Sequence, residues 1–220
     1  MTITRRRLAL LGAGLLLSVG CTQLAPTSFY TLAATAEPHG GARRDRGLVI
    51  GLGPVTLPAY LDRPDIVTRL GENQMQLADL HKWAEPLEPL LTRIMAQDLF
   101  ALLDAEDVIP LPQRRDVPLD RVVEVEVTRL DADAAGLVSF DARWRVYGAD
   151  GDTLLTSDHS VITEQGAPPP DYDAIVAAMS RAVAAGTRDI ATAIAGKAPV
   201  PEPAPKRTSR VLAPMPRPAA

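Results

Sequence analysis

The strongest constraint on the fold comes from two stretches that alternate between apolar and polar residues. Residues 123–128 read VEVEVT and residues 140–147 read FDARWRVY. Side chains of a β-strand point alternately to opposite faces, so this pattern predicts two strands that each bury one face. Asp150-Gly151 then turns the chain into a third strand, from Thr153 to about Thr163. We therefore expect an antiparallel meander in which the acids of the first strand face the arginines of the second on the solvent side.

Two longer segments repeat apolar residues at three- and four-residue spacing, which indicates helices with one buried face. The first extends from about Glu85 to Leu103, with Trp83 at its beginning and Asp98 on its polar side. The second extends from about Asp171 to Ala195, and Asp171 is its candidate N-cap.

Shorter strands are predicted near residues 48–55, 66–69, 75–77 and 108–109. The length of 220 residues leaves room for one domain with a hydrophobic core once the ends are set aside. The predicted fold class is α/β: a single small sandwich of mixed, largely antiparallel β-sheet with two main helices packed on it.

The amino terminus has the order of a signal peptide. Three arginines at positions 5 to 7 precede an apolar run from Leu8 to Val19, and Gly20 follows. At about 1.5 Å per residue, this run is too short to cross a hydrocarbon core about 30 Å thick. Residues 1–20 are therefore predicted to be a signal peptide.

Cys21 is the only cysteine of the chain and stands directly after this leader. It has no partner for an intramolecular disulfide, although an exported protein reaches an oxidising compartment. Its position predicts that the sulfur accepts a diacylglycerol group and that several acyl chains hold the protein on a membrane. The alternatives are an uncleaved anchor and ordinary cleavage that leaves a free thiol.

Composition divides the remaining chain into three parts. Residues 21–46 are predicted to form a lipidated tether with one short strand around Phe29, because they contain prolines, glycines and an arginine cluster. Residues 47–196 are predicted to form the folded domain. Residues 197–220 contain seven prolines and are predicted to be a Pro-rich, basic, disordered tail.

The charge of the domain excludes one class of partner. From Cys21 to Gly196 the chain carries 15 basic against 26 acidic residues. Nucleic-acid binding depends on lysine and arginine side chains that displace counterions from phosphates. We therefore expect no nucleic-acid partner.

The sequence contains no recognisable catalytic or metal-binding constellation. His39, His81 and His159 are isolated from one another, and no spacing offers a metal-ligand set, so we predict no metal and no cofactor. Asp158-His159-Ser160 combines an acid, an imidazole and a hydroxyl. Neighbours on a strand point to opposite faces and cannot align as a triad, so no catalytic residue and no enzymatic activity are expected.

One loop is a candidate contact surface for a partner. It is bounded by Pro58 and Pro64 and places an aromatic and an aliphatic side chain among charges, close to the start of the first helix. Rigid aromatic residues among arginine and aspartate are typical of protein interfaces. The candidate partner-binding residues are Leu57, Tyr60, Leu61, Asp62, Arg63, Arg69 and Trp83. In the alternative interpretation, Tyr60 and Leu61 hold this loop on its own core.

Two motifs carry a family resemblance. Residues 53–64 read GPVTLPAYLDRP and are followed by IVTR at 66–69, and residues 81–87 read HKWAEPL and open a helix. In combination they resemble the PqiC/YmbA family of ABC-type transport auxiliary lipoproteins. FYTL at 29–32, soon after Cys21, also fits the opening of that family.

The resemblance implies a lipoprotein of the outer membrane that works with an MCE-domain protein and an integral inner-membrane subunit. Such a system supports phospholipid trafficking and envelope integrity. The resemblance also implies an α/β sandwich that self-associates into a ring. By similarity to enteric lipoproteins, Thr22 stands where an aspartate would signal retention in the inner membrane, which favours the outer membrane. Two alternatives remain open: a phospholipid-binding carrier domain in the periplasm and a purely structural envelope lipoprotein.

Overall fold

The computed structural model describes residues 25–37, 47–112 and 117–196. The predicted signal peptide, Cys21 and the tail from residue 197 lie outside these ranges. The elements, in chain order, are β1 (Ser28–Tyr30), β2 (Val49–Thr56), β3 (Asp65–Arg69), β4 (Met75–Trp83), α1 (Leu87–Leu103), β5 (Asp107–Pro110), β6 (Arg121–Asp133), β7 (Leu137–Tyr147), β8 (Leu154–Gln165) and α2 (Tyr172–Ala195). Neither helix of this described part is long and apolar enough to cross a membrane.

The strand β6 organises the sheet because it is long enough to have two neighbours along one side. The amino-terminal half of β6 pairs in parallel with β2, and its last residues pair in parallel with β3. On its other side, β6 pairs antiparallel with β7, which pairs antiparallel with β8. The strand β5 lies outside β2, while β4 and then β1 lie outside β3. The predicted α/β fold with a mixed sheet and two helices is confirmed.

The predicted meander has the predicted register. Glu124 lies opposite Arg145 and Glu126 lies opposite Arg143. Glu124 and Arg145 form an ion pair with a distance of 3.9 Å between oxygen and nitrogen. Within the described residues, β8 has β7 as its single strand neighbour, so the far side of this 12-residue strand is an edge of the sheet.

Both helices cover the same face of the sheet. The helix α1 packs on β2 and β5, while α2 packs on β7, β8 and α1. Asp171 caps α2 as predicted, because its side chain accepts a hydrogen bond from the backbone N–H of Ala174 at 3.1 Å. In the middle of α2, Gly186 permits a close approach to β7: a Cβ atom built there would lie 2.5 Å from Cε1 of Phe140.

The segment that follows β1 packs across both helices. Leu32 is buried in the core, the backbone N–H of Ala33 donates to Oγ of Ser180 at 3.2 Å, and the N–H of Ala36 donates to Oδ1 of Asp98 at 3.0 Å. The prediction that Asp98 lies on the polar side of its helix is therefore wrong. Its carboxylate is buried because it binds a segment that is 62 residues distant in the sequence.

Trp83 also differs from its predicted position. It is the last residue of β4 rather than the beginning of the helix, and α1 starts four residues later, after Pro86 as N-cap. The strand extends this far because Trp83 pairs with Tyr30 of β1 in the sheet. The aromatic side chain consequently points into the core, where it is 6% exposed.

Candidate docking site

The two sequence motifs that are separated by the β3–β4 hairpin line one cavity. Asp62, Arg63 and Pro64 form one wall, and the junction from Trp83 to Leu87 forms the other. The cavity has a volume of about 340 Å³. We call this feature the loop cleft. It is the place where the family motifs meet in space, although about 20 residues separate them in the chain.

Backbone hydrogen bonds fix the shape of the loop cleft. The N–H of Leu61 donates to the carbonyl of Pro58 at 2.9 Å, which closes a turn, and Leu61 itself is buried. The N–H of Trp83 donates to the carbonyl of Pro64 at 2.7 Å and joins the two walls. Because the prolines restrict their own φ angles, the loop has little freedom to change this shape.

Charged side chains surround the loop cleft. Asp62 is exposed, and Glu85 forms an ion pair with Arg93 of α1. Arg63 is half-buried, and its Nε atom is buried without a hydrogen-bond partner. The guanidinium of Arg63 forms no ion pair with another described residue, so its outer nitrogens are available to a carboxylate or carbonyl oxygen of a partner.

A buried carboxylate holds the other side of the loop. Asp131 of β6 has no solvent exposure, and it accepts a hydrogen bond from the Tyr60 hydroxyl at 3.2 Å. It also accepts bonds from Arg69 at 3.0 and 3.3 Å and from Arg129 at 3.0 Å. Two guanidinium groups thus compensate one buried charge, as a buried carboxylate requires.

The same contacts change the acid–base properties of this cluster. Burial, followed by the negative charge of Asp131, raises the pKa of the Tyr60 hydroxyl to about 12. The hydrogen bond to Asp131 raises the pKa of Arg69 above its ordinary value. Tyr60 therefore remains a neutral hydrogen-bond donor at physiological pH, which suits a structural role.

The structure separates the predicted partner-binding residues into two groups. Asp62, Arg63 and Trp83 line the loop cleft. Tyr60 and Arg69 instead bind Asp131, while Leu57 and Leu61 pack against the hydrophobic core. The interpretation in which Tyr60 and Leu61 hold the loop on its own core agrees with this geometry. That the loop also binds a partner stays a prediction.

Sequence reasoning missed Asp131 and Arg129 as members of this region. They follow the predicted strand at residues 123–128, where the apolar alternation is interrupted. The register between β6 and β7 shifts between Val127 and Arg129, and this irregularity returns Leu130 to the core. The sequence signal that could have identified Asp131 was an acidic residue immediately after an interruption of the apolar alternation.

A second cluster, of the aromatic rings of Tyr30, His81 and Tyr172, lies between β1 and the second helix. His81 looks isolated in the sequence, but its ring stacks on Tyr172 of α2 with a distance of 4.1 Å between ring centroids. Its Nδ1 lies 2.8 Å from the hydroxyl of Tyr30. The cluster joins β1, β4 and α2, so it fixes the first strand to the rest of the domain.

The Asp158-His159-Ser160 sequence does not form a triad. Ser160 points towards α2, where its hydroxyl donates to Oδ2 of Asp189 at 2.7 Å and accepts a bond from Nε1 of Trp144. His159 is exposed and, as the next residue on the strand, points to the other face. In residues 25–37, 47–112 and 117–196, no cluster of three or more histidine, cysteine or acidic residues could hold a metal ion.

Comparison with known proteins links this arrangement to a family. The model of a family described as the ABC-type transport auxiliary lipoprotein component matches residues 30–191. A search of curated proteins found no match.

Two solved structures have a similar fold. Protein XCC0632 from Xanthomonas campestris is 17% identical, aligns over 77% of this chain and 96% of its own, and gives a TM-score of 0.64. An uncharacterized protein is 20% identical, aligns over 77% of this chain and 99% of its own, and gives a TM-score of 0.58. At these identities the likeness establishes the fold alone.

Proposed function

Because the chain belongs to the family of ABC-type transport auxiliary lipoprotein components, we propose that it is an outer-membrane lipoprotein subunit of an MCE-type lipid transport system. Its role is to dock the periplasmic MCE-domain component, beside an integral inner-membrane subunit, and thereby to support phospholipid trafficking and envelope integrity. This role is not enzymatic. Acyl chains on Cys21 hold it at the periplasmic face of the outer membrane.

The lipid anchor is supported by the order of features at the amino terminus. A basic segment, a short apolar run and the only cysteine of the chain follow one another within 21 residues. Mass analysis of the processed protein tests this step: an acylated Cys21 at the new amino terminus is expected. Fractionation of a Cys21→Ser variant provides a second measurement, because this variant should leave the membrane. An unmodified first residue, or a Cys21→Ser variant that stays membrane-bound, would remove the anchor from the proposal.

The docking surface is assigned to the loop cleft, and one observation carries the assignment. Arg63 lines the cleft and forms no ion pair with another described residue, while the walls are fixed by backbone hydrogen bonds. A preformed cleft with an uncompensated guanidinium favours a partner that supplies a carboxylate or carbonyl oxygen, because the donor group is already in position. Asp62, at the exposed rim, adds a site for a basic group of the partner.

Co-purification with the MCE-domain component tests the docking surface. We expect Arg63→Gln to weaken capture about tenfold, which corresponds to about 1.4 kcal/mol. Arg181→Gln is the matched control, since Arg181 is an exposed arginine that pairs with Glu164 on α2 and β8, away from the cleft. Equal capture by the two variants, with equal melting temperatures, would contradict the assignment.

The alternative of a phospholipid carrier receives less support. A cavity of about 340 Å³ is at the lower end of the range for drug-sized ligands, and a phospholipid with two acyl chains is larger. Native mass spectrometry of the domain would reverse this ranking if phospholipid co-purified with it.

A purely structural envelope role predicts no capture of transport components at all. Self-association into a ring stays a prediction, which light scattering of the purified protein measures.

A further inference from the structure

The strand β1 exposes a phenylalanine, while the large side chains of Tyr30 and Leu32 pack inward. The side chain of Phe29 is 66% exposed, which is the highest value for any large hydrophobic residue in the described ranges. In contrast, Tyr30 binds His81, and Leu32 is 2% exposed. The FYTL motif therefore contains one large apolar side chain that the fold of this chain does not bury.

The register of β1 defines the surface to which Phe29 belongs. Ser28 pairs with His81, Phe29 with Lys82 and Tyr30 with Trp83. Since paired residues share a face and His81 stacks on a helix, Phe29 and Lys82 point away from the helices.

A second exposed apolar side chain is close by in the sequence of β4. Leu80, two residues before Lys82 on the same strand, is 40% exposed. We call Phe29, Leu80 and Lys82 the β1 edge. It combines an aromatic ring and an aliphatic side chain with an ammonium group that Asp65 compensates at 3.6 Å, and apolar side chains beside charges are typical of surfaces that lie in a membrane interface.

The distance to the predicted acylation site limits how far the β1 edge can be from the lipid. Six residues lie between Cys21 and Ser28, so seven residue-to-residue steps separate the two positions. Even fully extended, at up to about 3.6 Å per residue, they span no more than about 25 Å. In addition, residues 22–36 contain no charged side chain, so no desolvation of charge opposes the approach of this segment to the membrane.

We propose that the β1 edge contacts the membrane surface directly, with Phe29 and Leu80 among the lipid headgroups. This contact fixes the orientation of the domain, because an acyl anchor at one residue does not by itself determine which face of the domain meets the membrane. The inference rests on the proposed lipid anchor, but it concerns a different part of the molecule.

The small number of phenylalanines in the chain allows fluorine NMR to measure the environment of Phe29 directly. There are three phenylalanines, and their environments differ: Phe29 is the test residue, Phe100 on α1 is 50% exposed, and Phe140 is 1% exposed in the core. The acylated protein is labelled with 4-fluorophenylalanine and bound to nanodiscs of bacterial phospholipid. Fluorine NMR then records three resonances, which single Phe→Tyr variants assign.

Two relaxation agents distinguish the possible environments of Phe29. With a nitroxide on the lipid headgroups, we expect the Phe29 resonance to be lost and the other two to be retained. With a gadolinium chelate in the water, we expect Phe100 to be broadened and Phe29 to be protected. If Phe29 behaves like Phe100 in both measurements, the proposal is wrong. The proposal would also be wrong if the gadolinium chelate left the Phe29 resonance sharp and the headgroup nitroxide did not remove it. That result would indicate a second copy or a protein partner on this edge.

Failure of the anchor can be separated from failure of this contact. If the processed chain carries no acyl group, the thiol of Cys21 is coupled to a maleimide lipid in the nanodisc, and the same spectra are recorded. The contact of Phe29 with lipid is thus tested whether or not the cell acylates Cys21. A Leu80→Asn variant serves as the second measurement, because it should partly restore access of the gadolinium chelate to Phe29.

Discussion

The hydroxyl of Tyr60 donates a hydrogen bond to Oδ2 of Asp131 over 3.2 Å, across a separation of 71 residues. The acceptor is fully buried, and Arg69 and Arg129 bind it as well. The loop that forms one wall of the loop cleft is therefore attached to the central strand of the sheet by a charged group, and the cleft depends on that attachment.

Replacing Asp131 by asparagine should be costly. The variant leaves Arg69 and Arg129 without the carboxylate that compensates them, and we expect the free energy of unfolding to fall by about 3 kcal/mol, the lower end for a broken buried pair because both arginines are partly exposed. Urea denaturation measures the loss. Tyr60→Phe, which removes one neutral donor, should cost only about 1 kcal/mol. Equal losses for the two variants would show that the charge of Asp131 contributes little.

Alkaline pH should weaken the attachment of the loop. Burial raises the pKa of Tyr60 to about 12 in the folded protein, from the ordinary value of about 10 for a tyrosine hydroxyl. The folded state thus holds this proton more tightly than the unfolded state, so the stabilisation is complete below pH 10 and is lost as the pH rises towards 12. The difference in unfolding free energy between the parent and Tyr60→Phe should shrink over this interval. A difference that stays constant with pH would contradict the raised pKa.

Gly186 should resist substitution even though it lies inside a helix. Alanine would improve helix propensity by about 1 kcal/mol, but its Cβ would lie 2.5 Å from Cε1 of Phe140. Overpacking of this kind costs about 1–3 kcal/mol, so we expect Gly186→Ala to be net destabilising in thermal or urea unfolding. Phe140→Leu should relieve the clash, so a double-mutant cycle should give a favourable coupling. A Gly186→Ala variant more stable than the parent would contradict this close approach.

Asp98 should make stability depend on pH in the acid range. Burial raises the pKa of its carboxyl above the ordinary value for an aspartate. A raised pKa means that the folded state favours the protonated form, so its contribution to stability is complete below about pH 4 and is lost as the pH rises through the folded pKa. Asp98→Asn has no such loss. Relative to the parent, this variant should become more stable between pH 3 and pH 7, and a constant difference would exclude the effect.

Local patterns in the sequence predicted the elements, because each pattern reports which face of one strand or helix is buried. The meander, its register at Glu124 and Arg145, and the cap at Asp171 follow from residues that are close in the sequence or joined by a short turn. Asp98 could not be placed in this way. Its partner is a backbone N–H 62 residues away, and periodicity contains no information about such a contact.

The candidate site was predictable only in part, for the same reason. The loop and the residues after Trp83 were recognised as separate motifs, and their meeting in one cleft depends on the β3–β4 hairpin. Aromatic side chains near charges indicated exposed contacts. Instead, Tyr60 binds Asp131 of the sheet, and Trp83 is buried in the core. A pattern of residue types cannot distinguish these uses, since both require a rigid ring.

The free side of β8 also limits how copies of this chain can associate. Asp158 lies opposite Trp144 in the register and Glu164 lies opposite Val138, so both acids share the helix-facing side at the rim of the sheet. Arg181 already binds Glu164 there. An incoming strand would have to desolvate these charges, which is how natural proteins prevent polymerisation into fibres. Any ring of copies is therefore expected to form through side chains of other surfaces and not through continuation of the sheet from one molecule into the next.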